Sequence, residues 1–144
     1  MRIAVASDHG GYVLKEFIKA RLEARGIETL DLGTGSEESV DYPLFGRACG
    51  EAVASGRADG GVACCGTGIG ISIAANKVKG VRCAVCANVE MAELARRHND
   101  ANVIALGGRI LSEAEAAAIV DAWLDAEFEA GGRHSRRVAM LDGM

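Results

Sequence analysis

The sequence predicts an α/β protein: a Rossmann-like three-layer α/β/α sandwich built on a five-stranded parallel sheet. Three observations predict it. Apolar runs of strand length alternate with helical patterns five times along the chain. These runs lack strict alternation with polar residues, as expected of strands buried on both faces. Alanine, valine and glycine dominate while aromatics make up only 4%, which suits thin, closely packed layers. Such a βα repeat implies right-handed crossovers and places a site at the carboxyl ends of the strands.

The first strand is expected at 2–7, through Ile3, Ala4, Val5 and Ala6. A helix follows over about 11–25, with Leu14, Phe17, Ile18 and Leu22 along one face. The second strand is expected at 27–32 and the second helix at about 43–55. The third strand, 59–65, ends on Cys65 and runs through alternate glycines into a helix over about 70–78. A strand at 81–87, a helix at 89–97 and a strand at 102–106 come next. The last helix, about 112–128, carries an apolar stripe of Ala116, Ile119, Val120 and Trp123. Ser112 and Glu115 supply the capping-box pattern at its start. The tail from Gly131 to Met144 is short and basic and is expected to wrap the protein. Residues 1–144 read as a single domain, large enough to bury ~70% of the unfolded chain's surface.

Hydrophobic residues make up 49% and charged residues 25%, an ordinary globular balance. The net charge of −4 argues against nucleic acid or an anionic membrane as the main partner. Positive charge is local instead, in Arg133, His134, Arg136 and Arg137. No apolar run approaches the ~20 residues of a membrane span. The sequence opens on strand-like residues with no signal-peptide pattern, and its five cysteines form an odd set. Both features point to a reducing cytoplasm.

The segment from Gly60 to Lys77 carries the most chemistry. A thiol at a strand's carboxyl end faces a helix N-terminus, where amides and the helix dipole favour negative charge. That place makes thiolate available near neutral pH, and the same amides can hold an oxyanion. The glycine loop is not a dinucleotide fingerprint, because position 71 is Ile71. It is not a P-loop, and it lacks the arginine of a cysteine-dependent phosphatase. Cys64 points to the opposite side of the strand and reads as packing. Cys83 and Cys86, three apart on a strand, face opposite sides and also read as packing. His9, His98 and His134 all lie in candidate site segments and can pass protons near neutrality. No two have ligand spacing within one element, so no metal is expected. Arg133, Arg136 and Arg137 read either as a solvated helix end or as a phosphate clamp that Arg109 could join.

Together these segments resemble the ribose-5-phosphate isomerase B family, with its galactose-6-phosphate isomerase relatives. The resemblance runs from Ile3 to about Val138. It rests on Ser7-Asp8-His9-Gly10-Gly11, Asp41-Tyr42-Pro43, Cys65-Gly66-Thr67-Gly68-Ile69-Gly70, Ile73-Ala74-Ala75-Asn76-Lys77, Arg97 to Val103 and Gly131-Gly132-Arg133-His134. It implies a metal-free, cofactor-free aldose–ketose isomerase acting on a sugar phosphate through a 1,2-enediolate. Cys65 would be the base between C2 and C1, Thr67 would shuttle protons between the oxygens, and His98 would open the sugar ring. The amides of Gly66, Gly68, Ile69 and Gly70 would stabilise the enediolate. Asp8, Tyr42 and Asn99 would hold hydroxyls, and His9, Arg109, Arg133 and Arg137 the phosphate. A branch of the family uses a glutamate further along this loop, but Ile69-Gly70-Ile71-Ser72 offers no carboxylate. The resemblance further implies a homodimer, or a tetramer, with shared sites, in which His98, Asn99 and Arg109 serve the neighbour's Cys65. One departure is an extra residue, Ala130, ahead of the glycine pair.

The expected substrate is ribose 5-phosphate in exchange with ribulose 5-phosphate. A hexose 6-phosphate such as allose or galactose 6-phosphate is the alternative, and needs more distance between Cys65 and the arginines. A non-catalytic sugar-phosphate-binding module would explain the glycine loop and basic tail. It would not explain the placement of cysteine, threonine and histidine together.

Overall fold

The computed structural model describes residues 1–144. Its elements run β1 (Arg2–Ser7), α1 (Tyr12–Ala24), β2 (Glu28–Asp31), α2 (Tyr42–Ala54), β3 (Gly60–Cys65) and α3 (Ile69–Asn76). They continue with β4 (Cys83–Val85), α4 (Val89–Asn99), β5 (Val103–Gly107), α5 (Glu113–Asp125) and α6 (Arg133–Asp142). A short 3-10 turn, His9–Gly11, joins β1 to α1. All strand pairs are parallel and the order is β2-β1-β3-β5-β4. The fold is the expected three-layer α/β sandwich.

Alternation along the central strands builds two separate apolar layers. Ile3, Val5, Val62, Cys64, Ile104 and Leu106 face α1, α4 and α5, where Trp123 closes the layer. Ala4, Ala6, Ala63, Cys65, Val103 and Ala105 face α2 and α3. The second layer is thin because its strand residues are mostly alanine. The helices above it approach closely: a Cβ on Gly46 would lie 2.6 Å from the Ile71 carbonyl oxygen, so α2 and α3 pack backbone to backbone there. Cys83 and Cys86 fall into opposite layers, as their three-residue spacing on a strand requires.

Strand order reverses between β1 and β3, since β1 connects outward to β2 on one side while β3 lies on the other. The carboxyl ends of these two strands open on the same crevice, where open α/β sheets place ligands. Ser7 pairs with Cys64 in the register. Asp8 and His9 therefore leave β1 beside Cys65 and Gly66 leaving β3.

The chain differs from its sequence reading at both ends of the last helical region. α5 stops at Asp125 because Ala126 turns extended, with ψ 150°, rather than running to 128. The tail does not simply wrap: after Gly131, with φ +90°, it forms the helix α6. Only Val138 of α6 is buried, and Met140 and Leu141 on the same helix stay exposed. β4 keeps three residues of the expected 81–87. α4 extends to Asn99 and is closed by Asp100, with φ +45°.

Candidate active site

The crevice between β1 and β3 is built from two touching turns. Asp8 caps the 3-10 turn: the Gly11 N–H donates to its Oδ1 at 3.1 Å, and the carboxylate is buried. A Cβ on Gly10 would lie 3.1 Å from the Gly66 nitrogen, so the turn after β1 rests closely on the turn after β3. The Val40 N–H donates to His9 Nδ1 at 3.1 Å. A ring nitrogen that accepts leaves the proton of neutral His9 on Nε2.

Cys65 ends β3 with 5% of its surface exposed. The Gly68 N–H donates to its Sγ at 3.1 Å. Gly68 has φ +82°, the left-handed conformation that brings this amide back over the sulfur at the start of α3. Burial pushes the thiols of Cys49 and Cys86 up to about 12, and those of Cys64 and Cys83 up as well. Cys49, Cys64 and Cys86 are buried and Cys83 half-buried, all as packing groups. The Ile69 N–H donates to Thr67 Oγ1 at 3.2 Å. Two loop amides expected to face substrate, Gly68 and Ile69, are thus engaged by Cys65 and Thr67. The amides of Gly66, Thr67 and Gly70 make no bond within the chain and are the ones left to meet an oxyanion. Tyr42 opens α2 with its ring against the loop: a Cβ on Gly70 would lie 2.7 Å from it.

Arg109, expected to reach a neighbouring chain's Cys65, lies against the Cys65 loop of its own chain. Its N–H donates to the Gly66 carbonyl at 2.9 Å. Its guanidinium lies over Gly66, where a Cβ would sit 2.9 Å from Nη1. The turn after β5 folds back onto the β3 loop, a contact that strand-by-strand reading does not reveal.

His98, Asn99, Arg133 and Arg137 form a second group elsewhere. His98 and Asn99 end α4, which delivers the chain to the amino end of β5. Val103 pairs with Gly61 and Gly107 with Cys65. Four strand steps separate those levels, about 13 Å, so one chain holds its own His98 and Cys65 at opposite edges of the sheet. His98 and His134 stack with ring centroids 4.1 Å apart and planes 6° from parallel. Glu129, which sequence reading missed, approaches both: Oε2 is 3.1 Å from His98 Nε2 and 3.9 Å from His134 Nε2. Arg133 and Arg137 lie exposed on the first turns of α6 beside this pair. Partial burial, with the nearby charges of His98 and Arg133, holds the His134 imidazole below its ordinary pKa.

The three donors of His98, Glu129 and His134 fall within 4.8 Å of one another. Their geometry does not suit a shared ion. Imidazole binds metal in its ring plane at about 2.0–2.1 Å, and two nearly parallel planes 4 Å apart do not converge on such a point.

Cys65 does not line the groove of about 540 Å³ beside β4. Around its edge of the sheet stand Val13, Leu44, Ile69 and Ile110, each more than half exposed.

Known proteins resemble this chain over nearly its whole length. The family model described as Ribose/Galactose Isomerase matches residues 3–141. Ribose-5-phosphate isomerase B of Escherichia coli (strain K12) is 51% identical over 140 residues, 97% of this chain and 93% of that protein. The solved structure of Clostridium thermocellum ribose-5-phosphate isomerase B superposes with a TM-score of 0.97 at 55% identity, covering 99% of this chain and 96% of that one. That of ribose-5-phosphate isomerase B from Mycoplasma genitalium with bound ribulose-5-phosphate gives 0.93 at 40% identity, covering 99% and 94%.

Proposed function

The chain belongs to the ribose/galactose isomerase family, and from that premise we propose that it interconverts ribose 5-phosphate and ribulose 5-phosphate with Cys65 as the base. It is an aldose–ketose isomerase. The single observation that carries the assignment of the base is the Gly68 N–H on Cys65 Sγ at 3.1 Å, at the crevice where strand order reverses. A sulfur that accepts an amide at a helix N-terminus is presented for proton transfer.

The reaction needs one base that reaches two adjacent carbons. Cys65 thiolate takes the proton from C2 of the open-chain aldose. The electron pair moves into a C1–C2 double bond, and the C1 carbonyl oxygen becomes an enediolate oxygen. Unpaired amides of Gly66, Thr67 and Gly70 stabilise that charge in a site partly screened from water. Thr67 passes the proton from O2 to O1. The Cys65 thiol returns its proton to C1 and the ketose forms. No electron leaves the substrate, so the chemistry requires no redox partner.

The remaining roles divide between two copies of the chain. Asp8 and Tyr42 hold hydroxyls, and His9 and Arg109 face the phosphate from the Cys65 side. His98 opens the ring, with Asn99, Arg133 and Arg137, from the neighbour. Two facts support a homodimer with shared sites: the roughly 13 Å of strand between the halves of one chain, and the apolar side chains bared around Cys65. Each subunit acts as one sugar-phosphate isomerase domain over 1–144. Five free cysteines fit a reducing cytoplasm, and no helix is long and apolar enough to cross a membrane.

Specificity constants on a panel of ribose, allose and galactose phosphates, with and without chelator, test the proposal. The expected result is highest kcat/KM for ribose 5-phosphate, undiminished by chelator. Preference for a hexose 6-phosphate would replace the substrate, and loss with chelator would overturn the metal-free mechanism.

A further inference from the structure

We propose that Glu129 is a positioning residue for His98: its carboxylate fixes which ring nitrogen carries the proton and stabilises the imidazolium formed during ring opening. The inference rests on the ring-opening role proposed for His98. Neither the motifs nor the strand pattern draws attention to Glu129, which lies in the connection between α5 and α6.

The geometry is specific. Glu129 Oε2 stands 3.1 Å from His98 Nε2. Arg97 Nη2 donates to the other oxygen at 3.0 Å, and the Glu129 N–H donates to the Arg97 carbonyl at 2.9 Å. Residue 129 is therefore tied through backbone and side chain to the last turn of α4. The Arg97 hydrogen bond holds the Glu129 carboxyl below its usual range, helped by the charges of His98 and His134. His134 covers one face of the His98 ring. His98 is thus held at one nitrogen by an anion and on one face by a ring.

The consequence for proton transfer follows directly. A carboxylate 3.1 Å from Nε2, in charge contact rather than an aligned hydrogen bond, favours a proton there over one on Nδ1, and Nδ1 keeps a lone pair. Nδ1 can then take the proton of the anomeric hydroxyl, and the resulting imidazolium returns it to the ring oxygen. The bond from C1 to the ring oxygen breaks as the C1 carbonyl forms, and no net charge is gained. Glu129 lowers the cost of the imidazolium while taking no proton itself. The same residue keeps α6, with Arg133 and Arg137, against the end of α4.

Glu129→Gln tests this, because it preserves size and the backbone bond to Arg97 but removes the charge. Two rates are measured on the full-length protein. Turnover of ribose 5-phosphate, a cyclic sugar, requires ring opening. Exchange of the C1 hydrogen of ribulose 5-phosphate with deuterated water requires only the proton transfer at Cys65, because that ketose is open-chain. The expected result is a fall in ribose kcat on the order of 10–100-fold, part of the ~10²–10⁴ that a general acid/base supplies. KM and the exchange rate stay within about twofold, and Glu129→Asp recovers part of the loss. Unchanged ribose turnover overturns the inference, and so does an equal fall in both rates, which would mean that the residue merely shapes the site. A wild-type protein that shows neither rate overturns the proposed function itself, and the inference with it.

Discussion

Mixing two inactive variants gives a quantitative reading of the shared site. Cys65→Ala removes the base and leaves His98, whereas His98→Asn does the reverse. Each homodimer has two dead sites. A heterodimer formed from them has one site with both defects and one with none, because the intact Cys65 of one subunit meets the intact His98 of the other. Random reassociation of equal amounts makes about half of the dimers heterodimers, each with one working site in two. The mixture should therefore regain about a quarter of wild-type activity. The structural basis is the register Gly61–Val103 and Cys65–Gly107, which puts about 13 Å of strand between the level of Cys65 and the end of β5 that α4 leads into. The assay is ribose 5-phosphate turnover after co-dissociation and reassociation, with differently tagged chains to count heterodimers. Activity equal to the sum of the separate variants would refute the reasoning. It would require the Cys65 and His98 of one chain to work together across the sheet.

Two further substitutions probe the scaffold under the site. A Cβ at Gly11 would overlap the Cys64 backbone carbonyl, and neither β3 nor the Asp8 turn can retreat. Gly11→Ala should cost about 2–3 kcal/mol and lower the melting temperature by roughly 5–10 °C in a calorimetric scan; an unchanged melting temperature would contradict this packing. Asp31 is a second case. Burial works to raise its pKa, but hydrogen bonds from Lys15, the Gly33 N–H and Lys19 bring it below the usual value. Its stabilisation is therefore present above the unfolded value, about 3.9, and is lost as pH falls through the lower folded one. Asp31→Asn leaves the Lys15 ammonium, 1% exposed, with only Glu16 at 3.0 Å. It should cost about 3 kcal/mol at pH 7. Urea denaturation should show this gap closing well below pH 4, and a gap independent of pH would contradict the pairing.

Much of the Cys65 half was legible because its signals are local. A strand end, alternate glycines and a helix start lie within a dozen residues, and the two-residue period sorted Cys64, Cys83 and Cys86 into packing roles. The His98 half was legible only by resemblance. His98, Glu129 and His134 meet through the docking of α6 on α4, which no short window encodes. α6 itself was missed because the glycine pair and the run of basic residues from Arg133 to Arg137 read as a loose tail, although Val138 and Leu141 share a helical face. The contact of Arg109 with Gly66 of its own chain was not legible, because it depends on how the turn after β5 folds back. The commitment of the Gly68 and Ile69 amides to Cys65 and Thr67 was likewise invisible, since it depends on the turn's dihedral angles rather than on residue types.

The central claim, that the Cys65 sulfur moves the proton between C1 and C2, is tested most directly by following deuterium entry at C1 of ribulose 5-phosphate in the Cys65→Ala variant, with calorimetry of the same ligand alongside. The account predicts exchange slowed by at least ~10² with binding retained. Exchange at the wild-type rate in that variant would contradict it.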